Sequence, residues 1–419
     1  MNRISWTENL SVGGEVSPAQ AVARLAALRE VHATFEWFTA HARELSERQM
    51  ELTRIPAPPF GESARAHWVQ TRFLELGLQE VHIDEAGNVL GMRPGAVEDA
   101  KYVAMTAHLD TVFPAGTCID VRREGERLLG PGVSDNGAGL MALLAMAAVL
   151  QTGTISHIAP LLFVANVGEE GEGDLRGVRH IFTDPRWREA IAYTFVLDGG
   201  GTDTIITEGL GSRRFLATIR GPGGHSWTDF GVPNPIVVLA RAIDQFARTS
   251  VPSDPKTVFN IGEISGGTSV NSIPEVASMK VDMRSSSMAE LDRLEQTLRD
   301  ALTHATADLK ALGFDPRRSG SISFELKPIG NRPAAELPQN ARILQVVKAV
   351  DSQLGIHSRQ QRASTDANVP LSLGREALAI GGGGVGGGAH TLHEWYDPSQ
   401  RDLGLRRILL ALLTLAGVK

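Results

Sequence analysis

Three times in the first half of the chain an apolar run stops abruptly on a carboxylate or an imidazole. Val103-Ala-Met-Thr-Ala107 empties into His108-Leu-Asp110, Pro160-Leu-Leu-Phe-Val-Ala-Asn-Val167 into Gly168-Glu169-Glu170, and Ala192-Tyr-Thr-Phe-Val-Leu197 into Asp198. Between the first two lies Leu140–Leu150, a charge-free apolar stretch of helical length. Strands that read as continuous apolar runs are buried on both faces, and strands alternating with helices build a parallel sheet. Such sheets place their sites beyond the carboxyl ends of the strands. Independent decoration of loops would not put an acid or a histidine at each strand end. The pattern therefore predicts an α/β chain with a mostly parallel sheet and a polar site along one edge of it.

The residue types at those ends suit a metal. Glu169 and Glu170 are adjacent carboxylates that repel each other unless a cation or a proton relieves them; a solvated acidic loop with Glu172 and Asp174 is the alternative. In a metal site one such carboxylate ligates while the other takes a proton from water. His108 and Asp110 are two apart on an extended chain and share a face, so the acid can orient the imidazole for a metal. Asp135, at the entrance of the apolar helix, either caps it or is drawn inward with it. A single cysteine, Cys118, excludes an internal disulfide framework and a thiolate cluster, so any metal falls to His, Asp and Glu.

Composition limits the partners. The net charge of −7, without a Lys/Arg block, argues against nucleic acid and anionic membranes. No stretch nears about twenty uncharged apolar residues, which removes a helical membrane span. The first ten residues lack the apolar core of a secretory signal, and with the lone cysteine they lead to the expectation of a cytoplasmic protein.

Elsewhere, Ser17-Pro18 opens a helical pattern that runs, with one break, to about Leu52 and ends at the prolines of Ile55–Gly61. A helix over 63–76 and two short strands around Gly87-Asn88 follow. From Gly211 the texture changes to strands of alternating polarity, at 213–220, 257–264, 276–284 and 321–327, with helices at 235–249 and 287–312. That is an α+β sandwich with one sheet face exposed, inserted into the first fold. The predicted division is 1–211 and 335–419 for the two segments of a catalytic domain and 212–334 for the insert. In Gly381-Gly-Gly-Gly-Val-Gly-Gly-Gly388, flanked by Leu378–Ile380 and His390, glycine reads as close backbone approach to a site rather than as a spacer. A final amphipathic helix is expected over 401–415.

Taken together, His108-Leu-Asp110, Ser134-Asp-Asn136, Gly168-Glu-Glu-Gly171, Asp198, Gly224-His225, Asn271-Ser-Ile-Pro274, Asp282-Met-Arg284 and His390 resemble, in order, the co-catalytic dinuclear zinc peptidase family. That family includes peptidase T, the bacterial glutamate carboxypeptidases, aminoacylase and succinyl-diaminopimelate desuccinylase. The resemblance runs from about Phe35 to the C-terminus and is nearest the peptidase T-like branch in Val167–Gly177 and the glycine run. It implies a zinc-exopeptidase catalytic domain and an inserted lid and dimerisation domain. It also implies two zinc ions per chain, with cobalt or manganese able to substitute. Asp135 would bridge them, His108 and Asp198 complete one site, and Glu170 and His390 the other. Glu169 would be general base toward a zinc-bridging hydroxide, and Asp110 would orient His108.

In the family the counterpart of His225 crosses a homodimer to stabilise the oxyanion, and those of Asn271 and Arg284 hold a substrate carboxylate. Of His390 and His393, the family's spacing of four residues before the acid Glu394 selects His390. Ala363-Ser364 departs from the family's usual Gly-Gly before Thr365-Asp366, which touches substrate details there rather than the metal ligands.

The function so implied is cleavage of amide bonds in small peptides by a tripeptide-type aminopeptidase. A carboxypeptidase or dipeptidase, or an N-acyl-amino-acid deacylase, would use the same machinery. A catalytically silent binding protein of this fold would show a missing ligand or base, and every one is present. A serine hydrolase would need a Gly-x-Ser-x-Gly elbow, which the sequence lacks.

Overall fold

The computed structural model describes residues 16–97, 99–152, 155–315 and 321–419. The sequence reading of the first ten residues lies outside these. The chain divides into two compact units, Met1–Glu208 with Glu336–Lys419, and Gly209–Ala335.

The first unit begins with α1 (Pro18–Ala26), α2 (Arg29–Ala40), α3 (Ala42–Thr53) and α4 (Ser63–Glu75). Ser17 caps α1 with a reciprocal capping box to Gln20. The helical stretch expected to break once breaks twice, at Ala27-Leu28 and at His41. Neither break has a proline or glycine to announce it.

β1 (Gln79–Ile83), β2 (Val89–Arg93) and β3 (Tyr102–His108) follow, then the short pair β4 (Arg122–Glu124) and β5 (Arg127–Leu129). Next come α5 (Gly137–Gln151), β6 (Leu161–Asn166), α6 (Arg176–Thr183), α7 (Pro185–Ala190), β7 (Ile191–Leu197) and β8 (Thr204–Gly209). The large sheet has nine strands, and β6, β3, β7 and the later β17 (Glu376–Ile380) run parallel at its centre. β6 is buried along its whole length and β3 from Val103 onward, which is why both read as unbroken apolar runs. α5 is buried on nearly every side.

The second unit holds β9 (Gly211–Arg220), β10 (Gly224–His225), α8 (Pro235–Ala247), β11 (Thr257–Gly266), β12 (Ser272–Ile273), β13 (Val276–Ser285), α9 (Met288–Ala307) and β14 (Ser323–Arg332). Its four-stranded sheet is antiparallel in the order β11-β13-β9-β14. Phe215, Ala217 and Ile219 of β9 and Ala277, Met279, Val281 and Met283 of β13 bury one face, with Leu291, Leu294 and Leu298 of α9 in the same core. The alternation seen in the sequence is this one-sided burial.

The chain then returns through β15 (Ala335–Glu336), α10 (Arg342–Leu354), β16 (Arg359–Ala363), α11 (Asn368–Ser372), β17, β18 (Val385–Gly387), β19 (Trp395–Asp397) and α12 (Arg401–Ala416). α12 was expected to be amphipathic and is instead buried on nearly all sides, because it packs against α1, α2, α5, α10 and β3. Its buried Arg407 is neutralised by Asp351 of α10, at 2.6 and 2.7 Å. The glycine run packs against backbone: a Cβ on Gly381 would lie 2.3 Å from Gly200 O, so only glycine fits there.

Candidate metal centre

β3 ends on His108, the turn after β6 carries Glu169 and Glu170, and β7 ends at Leu197 just before Asp198. β3, β6 and β7 are parallel neighbours, so their ends converge on one edge. Asp135 arrives from the loop before α5; Asn136 is the helix cap, its side chain accepting from Gly139 N–H, and Asp135 is left to project elsewhere. The Asp135–Asn136 peptide is cis. His390 comes from the loop after β18 with φ of 64°, a left-handed backbone that a histidine adopts only when its surroundings impose it.

Asp135 stands between the two histidines and offers one oxygen to each. Its Oδ1 is 3.1 Å from His108 Nε2, and its Oδ2 is 3.1 Å from His390 Nε2. On the His108 side Asp198 Oδ1 is 3.6 Å from the same Nε2. On the His390 side Glu170 Oε1 is 3.1 Å from Nε2. Ligand atoms of His108, Asp135 and Glu170 all lie within 4.8 Å of one another. The donor set is imidazole and carboxylate without sulfur, which suits zinc, manganese or cobalt.

The protonation states tell the same story. Burial pushes His108 down, but hydrogen bonds to Asp110, Asp135 and Asp198 outweigh it and hold the ring well above the usual imidazole range. His390 is pushed up to about 10 by its hydrogen bonds to Asp135 and Glu170. Asp135 is held well below the usual carboxylate range: burial opposes this, and the two histidines overcome it. Each proton sits between a nitrogen and an oxygen where a divalent cation would bind both, so the residues present fit a metal pair.

Asp110 links the two strand ends. Its carboxylate accepts the backbone N–H of Glu169 at 3.0 Å and of Glu170 at 2.7 Å, and its Oδ1 lies 3.6 Å from His108 Nδ1. Glu169, 5% exposed, is thereby held beside Glu170 at the site. Gly168 is in the left-handed region, and a Cβ there would collide with Arg176, whose guanidinium reaches Glu62 at 2.6 Å.

His225, Asn271 and Arg284 belong to the second unit. His225 and Asn271 are neighbours, since β10 pairs with β12 and Ser226 N–H donates to Asn271 O. Arg284 sits at the far end of β13, about 26 Å along the strand from its start at roughly 3.3 Å per residue. Its Nε donates to Asp282 at 2.7 Å. The three are not brought together within that unit.

Sequence reasoning treated Glu394 as a spacing landmark only, and Asn166 and Arg65 not at all. Asn166 Nδ2 donates to Asp366 at 2.7 Å in a fully buried pair next to the strand ends, where burial pushes Asp366 up to about 7. Arg65, buried, ties Ile55 O and Leu109 O together. A buried polar residue on an apolar strand was the available signal for Asn166. Arg65 meets Leu109 at a separation of 44 and Glu394 meets Ser134 at 260, and no local pattern marks either.

The profile of Peptidase family M20/M25/M40 matches residues 104–414. Carboxypeptidase G2 of Pseudomonas sp. (strain RS-16) is 23% identical over 251 residues, 57% of this chain and 59% of that protein's length. Among solved structures, aminopeptidase PepT from Bacillus cereus superposes with a TM-score of 0.68 at 22% identity, covering 90% of this chain and 99% of that one. A tripeptidase from Staphylococcus aureus gives 0.69 at 21% identity, covering 90% and 98%. Both structures share the fold over nearly their whole length. Among the described residues no helix is long and apolar enough to cross a membrane.

Proposed function

The chain belongs to peptidase family M20/M25/M40 and is a metallopeptidase of that family, and from that premise we propose that it is a dizinc aminopeptidase acting on tripeptides. The observation that carries the reading is Asp135 dividing its two oxygens between His108 and His390. One carboxylate facing two nitrogen ligands, with a further carboxylate beside each, is a donor arrangement that would suit two ions. His108 and Asp198 would hold one, Glu170 and His390 the other, with Asp135 common to both. When bound, such ions polarise an amide carbonyl and acidify water.

The chain's own groups supply the rest. Glu169 takes the proton from the attacking water on its carboxylate and returns it to the leaving amine. Asp110 fixes the orientation of His108 and, through two backbone N–H groups, the aim of the Glu169-Glu170 turn. Arg284 offers a planar fork to a substrate carboxylate, and a second copy of the chain supplies Asn271 to assist it and His225, which donates to the oxyanion. What supports a homodimer here is that His225 and Asn271 lie at the opposite end of the inserted sheet from Arg284. The exposed lone Cys118 fits a reducing, cytoplasmic setting.

The fold shared with PepT and the tripeptidase favours a free amino terminus as the recognised end. A second reading, release of a C-terminal residue or of an N-acyl group, is favoured by the identity to carboxypeptidase G2. Zinc-loaded protein assayed on matched tripeptides, dipeptides, and N-acylated forms of both separates the two. The first reading expects turnover of unblocked tripeptides, lost on N-acylation. Preferential turnover of the N-acyl substrates overturns it.

A further inference from the structure

We infer that Glu394 is a positioning residue that sets the spacing of the two metal loops, a role that rests on the dinuclear reading above and extends it. Glu394 is fully buried, and its side chain accepts three backbone N–H bonds from one loop: Gly132 on Oε2, Ser134 and Asp135 on Oε1, each at 2.7 Å. Its own carbonyl accepts a fourth, from Gly130 N–H at 3.0 Å. One residue therefore takes four N–H groups of the loop 130–135, which delivers Asp135.

The same residue closes the turn that delivers His390. Glu394 N–H donates to Thr391 O, and Thr391 Oγ1 donates to Gly388 O at 2.7 Å. His390 itself is in the left-handed region with its side chain 55% exposed, so packing does not hold it. The 130–135 loop lies between β5 and α5, with Val133 N–H on Gly130 O and Gly137 N–H on Gly132 O as its own turns. Glu394 extends the β5–β19 pairing into the site and ties the two loops together just behind their ligands. A carboxylate suits the place, because both of its oxygens accept backbone N–H bonds. An isosteric amide would turn one acceptor into a donor pointed at backbone N–H groups.

The test compares E394Q and E394D with wild type, using zinc titration against a chelating indicator on the full-length protein. Groups behind metal ligands typically change affinity by 10–100-fold. The expected result is a loss of that size for one ion in E394Q, with excess zinc restoring kcat and leaving KM unchanged. E394D keeps the charge but falls short of spanning Gly132 and Ser134, and is expected to lose affinity to a smaller degree. Should E394Q not fold, E394D alone decides.

D351N, which breaks the remote buried pair with Arg407, is the control for mere destabilisation; it should lower the melting temperature and leave zinc affinity unchanged. Wild-type affinity in E394Q or E394D, or an equal loss in D351N, overturns the inference. If wild type holds fewer than two ions, or H390A binds as wild type does, it is the dinuclear reading that fails, whatever position 394 does.

Discussion

Replacing Glu169 by Gln isolates the proton transfer from everything else the turn does. One contact that holds Glu169 in place is its backbone N–H to Asp110 at 3.0 Å, and the substitution leaves it intact. The side chain is 5% exposed, and the amide has the same shape, so no cavity opens. Nor does Glu169 belong to the group of ligand atoms within 4.8 Å formed by His108, Asp135 and Glu170. Stability should then stay within about 1 kcal/mol of wild type and metal content should not change. What is lost is a positioned base, worth about 10²–10⁴ in rate. At about 1.36 kcal/mol per tenfold, that is roughly 2.7–5.4 kcal/mol of barrier. Initial rates on tripeptides, with metal content measured on the same sample, check this. E170Q, one residue along, provides the contrast and should lose metal as well as rate. Activity of E169Q within about tenfold of wild type, or metal lost in step with rate, refutes the assignment.

Four further outcomes follow from the same geometry. D110N should weaken zinc binding by about 10–100-fold and lower the melting temperature, because Asp110 both faces His108 and accepts two N–H bonds from the Glu169-Glu170 turn; titration and calorimetry read the two effects. In metal-free protein the histidines have raised pKa values, so the stability they add is full below about 6.5 and lost as pH rises through their folded values, about 10 for His390. Metal-free protein should thus melt lower at pH 9.5 than at pH 7, while zinc affinity rises over the same interval because protons compete less. D351A should cost about 3–5 kcal/mol in denaturant unfolding by stranding buried Arg407, and replacing both residues by apolar ones should cost less. R284K should raise KM for substrates with a free carboxylate and leave kcat nearly unchanged, because lysine lacks the bidentate fork.

The catalytic sheet was legible because its central strands are buried on both faces, which leaves no carboxylate or imidazole until the chain reaches the site. β3, β6 and β7 each show this, and the first carboxylate or imidazole then stands at or just past the strand's end. The inserted unit was legible for the opposite reason: β9 and β13 bury one face only, so polarity alternates. What the pattern did not give was the number and ends of the N-terminal helices, since chain breaks at Ala27-Leu28 and His41 are set by packing and not by breaker residues. The C-terminal helix misled for a related reason. Its charges at Arg401 and Arg407 suggest a wet face, but both are buried, one against Tyr396 and Gln49 and the other against Asp351.

The site divides along the same physical line. Residues that chemistry would place at a metal can be picked out by type and by strand-end position, because ligation needs particular atoms. The groups that fix those ligands need only a hydrogen bond, which many residues can make, and they meet their partners across the chain. Glu394 contacts loop residues some 260 positions earlier, and Asn166 meets Asp366 at a separation of 200. Asp110 is the exception that shows the rule: it was legible because it is two residues from the imidazole it faces. Its two bonds to the Glu169-Glu170 turn, about 60 residues away, were not. On the proposed assignment, a carboxylate that faces His108 and aims the Glu169-Glu170 turn would couple metal binding to proton transfer. D110N should therefore lose more rate than its loss of zinc explains, and full rate at saturating zinc would show that the coupling is absent.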